Sequence, residues 1–144
     1  MSSVSASSDS AIEITPFQAW EILSKTAAAK LIDVRTEPEW TYVGVPALDA
    51  IGKSIIRNAW QLFPEMNVNS DFVNSLRATA RDDDVLIFIC RSGGRSLLAA
   101  NLAKTEGFPA SYSVSGGFEG PTDADGHRGT VAGWRHEGLP WRQT

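Results

Sequence analysis

Hydrophobic positions along the chain fall into short blocks whose spacing changes from one block to the next. Val85-Leu86-Ile87-Phe88-Ile89 is apolar without interruption, which predicts a strand covered on both faces. Leu97 to Lys104 then predict a helix that Gly107 and Pro109 bring to an end. Upstream, Ile12-Glu13-Ile14 alternates like a strand, and Thr15-Pro16-Phe17-Gln18 reads as a helix start. Thr15 is the cap, Pro16 takes the first helical position, and Gln18 completes a capping box. Phe17, Trp20 and Leu23, with Ile22 beside them, recur at helical spacing and are expected to form the core face of that helix.

Lys30 to Val34 form a second candidate strand with Arg35 at its carboxyl end. Thr36 and Glu39 make a second capping box, so a helical turn is expected through Trp40 and Tyr42 until Gly44 and Pro46 break it. A third brief strand lies within Gly52 to Arg57, followed by an irregular segment through Trp60, Phe63 and Pro64. Asn69 or Ser70 is expected to cap a helix carrying Phe72, Val73, Leu76 and Ala80 on one face. Asp82-Asp83-Asp84 reads as a solvated turn, and Tyr112-Ser113-Val114 as a last strand closed by Gly116-Gly117.

Strands alternating with helices predict an α/β fold with a mainly parallel central sheet of about five strands and helices on both faces. Ligands of such sheets bind at the carboxyl ends of the strands, where Cys90, Arg35 and Gly116 all fall. Seven of the twelve glycines lie between Gly116 and Gly138, so residues 119–132 read as a surface loop. Gly133-Trp134 and Leu139-Pro140-Trp141 read as a closing helical turn and an apolar anchor. Met1 to Ser10 hold six serines and neither a basic residue nor an apolar core, so a short disordered tail is expected there rather than a secretory signal. That leaves residues 11–144 as a single domain.

Composition narrows the function classes. With 144 residues, 42% of them hydrophobic and 21% charged, the chain can bury a core of its own. No apolar run is long enough to span a bilayer, so no membrane partner is expected. A net charge of −4 with dispersed basic residues argues against a general nucleic-acid binder. A single cysteine excludes an intramolecular disulfide and a cysteine-based metal cluster. Neither metal nor cofactor is expected, and a cytoplasmic location is the default.

The chemistry concentrates at Cys90-Arg91-Ser92-Gly93-Gly94-Arg95-Ser96, between the buried strand and the next helix. Only a few per cent of an ordinary cysteine is thiolate at neutral pH, so rapid nucleophilic chemistry needs surroundings that favour the anion. A helix N-terminus contributes up to about 2 kcal/mol in that direction. Gly93 and Gly94 are expected to adopt dihedrals closed to other residues and so turn loop N–H groups inward around the sulfur, while Arg91 and Arg95 add positive charge. The same donors would hold an anionic substrate or a terminal sulfur on the cysteine.

These residues resemble those of the single-domain rhodaneses, the thiosulfate sulfurtransferase family. The similarity is carried by Leu31-Ile32-Asp33-Val34-Arg35 with Glu37, Glu39 and Trp40, by Cys90 to Ser96, and by Gly107-Phe108 and Gly116-Gly117-Phe118. The resemblance implies a rhodanese-like fold and a double displacement: Cys90 takes the outer sulfur of a small anionic donor such as thiosulfate and passes it to cyanide, an external thiol or a protein acceptor. It implies that Arg91, Ser92, Gly93, Gly94, Arg95 and Ser96 bind substrate and cradle the persulfide. Asp33 and Arg35 would organise the site, with an Arg35–Glu39 ion pair as the purely structural reading of that arginine. Where many members carry a Gly-His-Ile-Pro-Gly-Ala segment, this chain has Val43-Gly44-Val45-Pro46-Ala47, and residues 119–132 are inserted before Gly133-Trp134. His127 and Arg128 in that insertion read either as a lid over the catalytic loop or as an exposed pair without a role.

Other readings use the same residues. A cysteine-based phosphatase or arsenate reductase typically places five residues between cysteine and arginine, whereas four separate Cys90 from Arg95. A Cys/His hydrolase would need His127 or His136 as base, and neither has a local motif. A non-enzymatic sulfur carrier or regulatory module would use the same loop.

Overall fold

In the computed structural model, which describes residues 11–143, the apolar block Val85–Ile89 is strand β7 and occupies the centre of a five-stranded sheet. The tail expected at residues 1–10 lies outside the described residues. β2 (Ala29–Asp33) and β8 (Ser111–Val114) flank β7, while β4 (Ile56–Arg57) and β1 (Ile12–Ile14) form the edges. Every neighbouring pair is parallel, with Ile32 opposite Phe88 and Ile87 opposite Tyr112. The expected α/β architecture is therefore present.

Successive side chains of a strand point to opposite faces, and β7 uses both. Ile87 and Ile89 pack with Ala19 and Leu23 of helix α1 (Pro16–Lys25) and with Trp134. Leu86, Phe88 and Cys90 pack with Phe72 and Leu76 of α3 (Phe72–Thr79) and with Ala99, Ala100 and Ala103 of α4 (Gly94–Thr105). The alanines let α4 lie close to the sheet at the strand end that carries the cysteine. Helix α2 (Glu37–Tyr42) follows the carboxyl end of β2. No helix among the described residues is long and apolar enough to cross a membrane.

Several local expectations change in the fold. The α1 capping box forms, with Gln18 N–H bonded to Thr15 Oγ1 and Thr15 N–H to Gln18 Oε1. The buried face of α1, however, is Pro16, Ala19 and Leu23, and Phe17 is 60% exposed. Burial follows the i, i+3, i+7 stripe that starts one residue earlier, with half-buried Trp20 beside it against Trp134 at 6.0 Å. Asp84 does not belong to the solvated turn. It is buried and takes the Lys30 ammonium at 2.6 Å. Burial alone would raise the Asp84 carboxyl, but the Arg81 N–H and Lys30 bring it below its ordinary value.

Pro46 does not simply end a helix. Val45–Pro46 is a short strand, β3, paired antiparallel with β9 (Trp141–Arg142), so the segment expected as an apolar anchor is an extended strap across the chain. The irregular stretch after β4 contains a small hairpin, β5 (Gln61–Leu62) with β6 (Asn67–Val68). Residues 119–132 form neither helix nor strand. Asp123 organises them by accepting the N–H groups of Asp125 and His127, each at 2.9 Å, and the Thr130 hydroxyl at 2.6 Å. Trp134, buried completely, ends the stretch with its indole N–H on the Pro140 carbonyl at 2.7 Å.

Candidate active site

Cys90 directly follows β7 and is 1% exposed. The loop it opens is held from behind by the closing segment. The Cys90 carbonyl accepts the Phe118 N–H at 2.8 Å, and the Arg91 carbonyl accepts those of Glu119 (2.9 Å) and Gly120 (3.1 Å). In a trans peptide the C=O and N–H point to opposite sides, so these bonds turn the N–H groups of Arg91 and Ser92 away from residues 118–120. Gly117 has φ +61°, and a Cβ there would sit 2.5 Å from the Cys90 carbonyl oxygen. Only glycine lets the closing segment approach the cysteine this closely.

Gly93 N–H donates to Cys90 Sγ at 3.1 Å, and Ser96 Oγ lies 3.3 Å from the same sulfur. The expectation that both loop glycines need special dihedrals is corrected. Gly93 has φ +119°, whereas Gly94 opens helix α4 without a positive φ, and a Cβ on it would meet nothing within 4 Å. Gly93→Ala is expected to introduce about 1–3 kcal/mol of backbone strain and to displace the N–H that faces the sulfur. Gly94→Ala is expected to leave turnover within about twofold and to raise stability by up to about 1 kcal/mol. Melting curves together with turnover of the two variants check this contrast, and equal losses in both would contradict it.

The ion pairs also differ from expectation. Arg35 does not pair with Glu39. It is fully buried and held by Asp33 through Nε–Oδ1 (2.9 Å) and Nη2–Oδ2 (2.7 Å), with Nη2 also donating to the Gly44 carbonyl at 2.7 Å. Asp33 is the last residue of β2 and Arg35 lies in the bend two residues on, with the Asp33 carboxylate within the fork of its guanidinium. Phe118, whose N–H holds the Cys90 carbonyl, lies under the Arg35 guanidinium with its ring centroid 4.5 Å away. The Asp33–Arg35 pair thus connects to the loop through Phe118.

Glu39 instead makes a bidentate pair with Arg95 at 2.9 and 3.0 Å, and its Oε1 accepts the Thr36 N–H and hydroxyl. Arg95 is therefore tied to α2, and the exposed Arg91 is the loop guanidinium without a side-chain partner among the described residues. Burial alone would raise the Glu39 carboxyl, but the Arg95 hydrogen bonds and charge, with the Thr36 groups, bring it down from 4.5 to about 2. A depressed carboxyl contributes stability above its ordinary value, and that contribution is lost as pH falls through the folded-state value. The melting temperature should accordingly drop between pH 4.5 and 2 more steeply for the native chain than for Glu39→Gln, and parallel curves would contradict the pair.

Arg128 and His127 are not brought to the sulfur by any contact in the structure. Arg128 Nη1 bonds back to the Gly120 carbonyl at 2.7 Å, and His127 is exposed with its N–H on Asp123. The insertion touches the Cys90 loop through its beginning, at the Arg91 carbonyl. An open cavity of about 380 Å³ lies between α2, the end of β4 and the β5–β6 hairpin, lined by Glu37, Trp40, Arg57 and Phe63 but not by Cys90. Asp33 is opposite both Ile89 and Arg57, so Arg57 stands two strand spacings, roughly 10 Å, across the sheet from the end of β7. Sequence reasoning singled out neither Ser113, whose hydroxyl joins Ser96, nor the Arg95–Glu39 pair.

A cysteine closing the central strand of a parallel α/β sheet, with the next helix rising from its loop, gives the chain a rhodanese-like fold. The likeness extends over nearly the whole chain. The protein belongs to the STR4 middle domain family, whose model matches residues 13–144. The crystal structure of Rv0390 from M. tuberculosis matches with a TM-score of 0.86 at 46% sequence identity, over 94% of this chain and 99% of that one. The uncharacterized protein RC0915 of Rickettsia conorii is 36% identical over 127 residues, 87% of this chain and 92% of its own length. Thiosulfate sulfurtransferase GlpE of Actinobacillus pleuropneumoniae is 28% identical over 133 residues, 92% of this chain and 94% of its own length.

Proposed function

We propose that the protein is a sulfurtransferase that moves a sulfane sulfur from thiosulfate, or a donor of the same class, through a persulfide on Cys90. The observation that carries the reading is the Gly93 N–H aimed at Cys90 Sγ from 3.1 Å at the mouth of helix α4. A backbone donor fixed there favours negative charge on sulfur before and after transfer. In the first half-reaction the Cys90 thiolate attacks the outer sulfur of thiosulfate. The S–S bond of thiosulfate breaks, sulfite leaves with the electron pair, and Cys90 carries a terminal sulfur anion. In the second, cyanide or a thiolate attacks that terminal sulfur, the Cys90 S–S bond breaks, and the thiolate returns.

Loop N–H groups from Arg91 to Ser96 would surround the terminal sulfur, and the exposed guanidinium of Arg91 would draw in the dianionic donor. Arg95, held by Glu39, would contribute fixed charge rather than a mobile clamp. Asp33 and Arg35 would keep the loop in place through Phe118. The name carried by the GlpE relative supports the donor class. With one cysteine in the chain, the loaded sulfur must leave to an external acceptor. Formation of thiocyanate from thiosulfate and cyanide tests the reading: saturable turnover supports it, and its absence alongside hydrolysis of an aryl phosphate would replace it with phosphatase chemistry.

A further inference from the structure

Ser113 is the third residue of β8 and is 1% exposed. Tyr112 and Val114 pack toward α1, so strand alternation sends Ser113 to the opposite face, where α4 carries Ser96. The two hydroxyl oxygens are 2.7 Å apart, and Ser96 Oγ is the one partner of Ser113 Oγ among the described residues. Ser96 Oγ has three neighbours able to accept its single proton: Ser113 Oγ at 2.7 Å, the Gly93 carbonyl at 3.1 Å, and Cys90 Sγ at 3.3 Å.

Counting protons shows that the direction of this chain depends on the state of the sulfur. A neutral Cys90 donates its S–H to Ser96 Oγ, and the Ser96 proton turns to Ser113 or to the Gly93 carbonyl. A Cys90 anion has no proton to give and can only accept. Ser96 then donates to sulfur, and its oxygen is free to accept from Ser113. We propose that Ser113 is a positioning residue whose hydroxyl donates to Ser96 Oγ and so turns the Ser96 proton toward the Cys90 sulfur anion. No proton is transferred between the serines, since both hydroxyls rotate and the thiol proton leaves to solvent. The proposal deepens the sulfurtransferase reading, in which the same donor serves the thiolate between turnovers.

Charged side chains on the elements packed against Cys90 are Arg91 on its own loop, Arg95 and Lys104 on α4, Arg77 on α3, Glu37 and Glu39 on α2, Lys30 and Asp33 on β2 with Arg35 just after it, and Glu119 in the closing segment. Strand β8 brings no ionisable group except the Tyr112 phenol, which packs on the other face. Ser113→Ala leaves all these groups in place and removes only the second hydroxyl.

Alkylation by iodoacetamide reads the sulfur anion directly, because Cys90 is the only thiol. The midpoint of the alkylation pH–rate profile should rise by about half a unit or more in Ser113→Ala, which lowers the rate at neutral pH about threefold. Ser96→Ala should show at least the same rise, and Ser113→Ala should add nothing further in that background. An unmoved midpoint in folded Ser113→Ala, or a shift that persists undiminished in the Ser96→Ala background, overturns the proposal. Alkylation needs no sulfur donor, so a protein that shows this coupling without turning over thiosulfate would keep the Ser113 assignment and lose the sulfurtransferase reading.

Discussion

Cys90→Ser is expected to reduce thiocyanate formation from thiosulfate and cyanide to the uncatalysed rate, a loss of about three orders of magnitude or more. No second thiol is present to take over. A serine oxygen fits where the sulfur stood and still accepts the Gly93 N–H, so the loop and the fold should survive and the melting temperature should stay within a few degrees. The loss is therefore chemical, because an alcohol at neutral pH supplies almost no nucleophilic anion, whereas a thiol supplies some even without help. Turnover and calorimetry on the same preparation check both halves. Residual turnover within about tenfold of the native chain would remove Cys90 from the mechanism.

The second large effect concerns stability. Asp33→Ala is expected to destabilise the protein by about 3–5 kcal/mol, the usual range for stripping one partner from a buried ion pair. Arg35 is fully buried, and its Nη1 lacks a hydrogen-bond partner among the described residues, so the variant would leave the Gly44 carbonyl as the one described acceptor of its side chain. A fall in melting temperature of about 10 °C or more should follow. Asp33→Asn, which keeps one acceptor, should lose less. The exposed Arg77–Glu106 pair offers the contrast, since breaking it should cost about 1 kcal/mol at most. A melting temperature for Asp33→Ala within about 2 °C of the native value would show that the buried pair does not support the sheet end.

The strand, the loop and both capping-box sequences were legible because their signals are local: a five-residue apolar block, a cysteine and glycines before a helix, and Thr-x-x-Gln or Thr-x-x-Glu at helix starts. Features decided at a distance were not. Helical spacing pairs Arg35 with Glu39, but Arg35 precedes the helix, and Arg95 reaches Glu39 from 56 residues away. The pairing of Val45–Pro46 with Trp141–Arg142 depends on a chain return that no local pattern announces. Phe17 is exposed because an apolar residue next to a helix start belongs to either of two adjacent stripes, and the fold buries the one that holds Pro16, Ala19 and Leu23. Gly93 and Gly94 are identical as letters and differ in φ and in surroundings that only the fold sets. Ser113 carries no signal at all until β8 and α4 are placed side by side.

In the proposed reaction Cys90 accepts one sulfur atom, and intact-protein mass spectrometry after exposure to thiosulfate reads that step. The mass should rise by a single sulfur, a gain reversed by a reducing agent and absent in Cys90→Ser. An unchanged mass, or a gain that persists when Cys90 is replaced, would contradict that step.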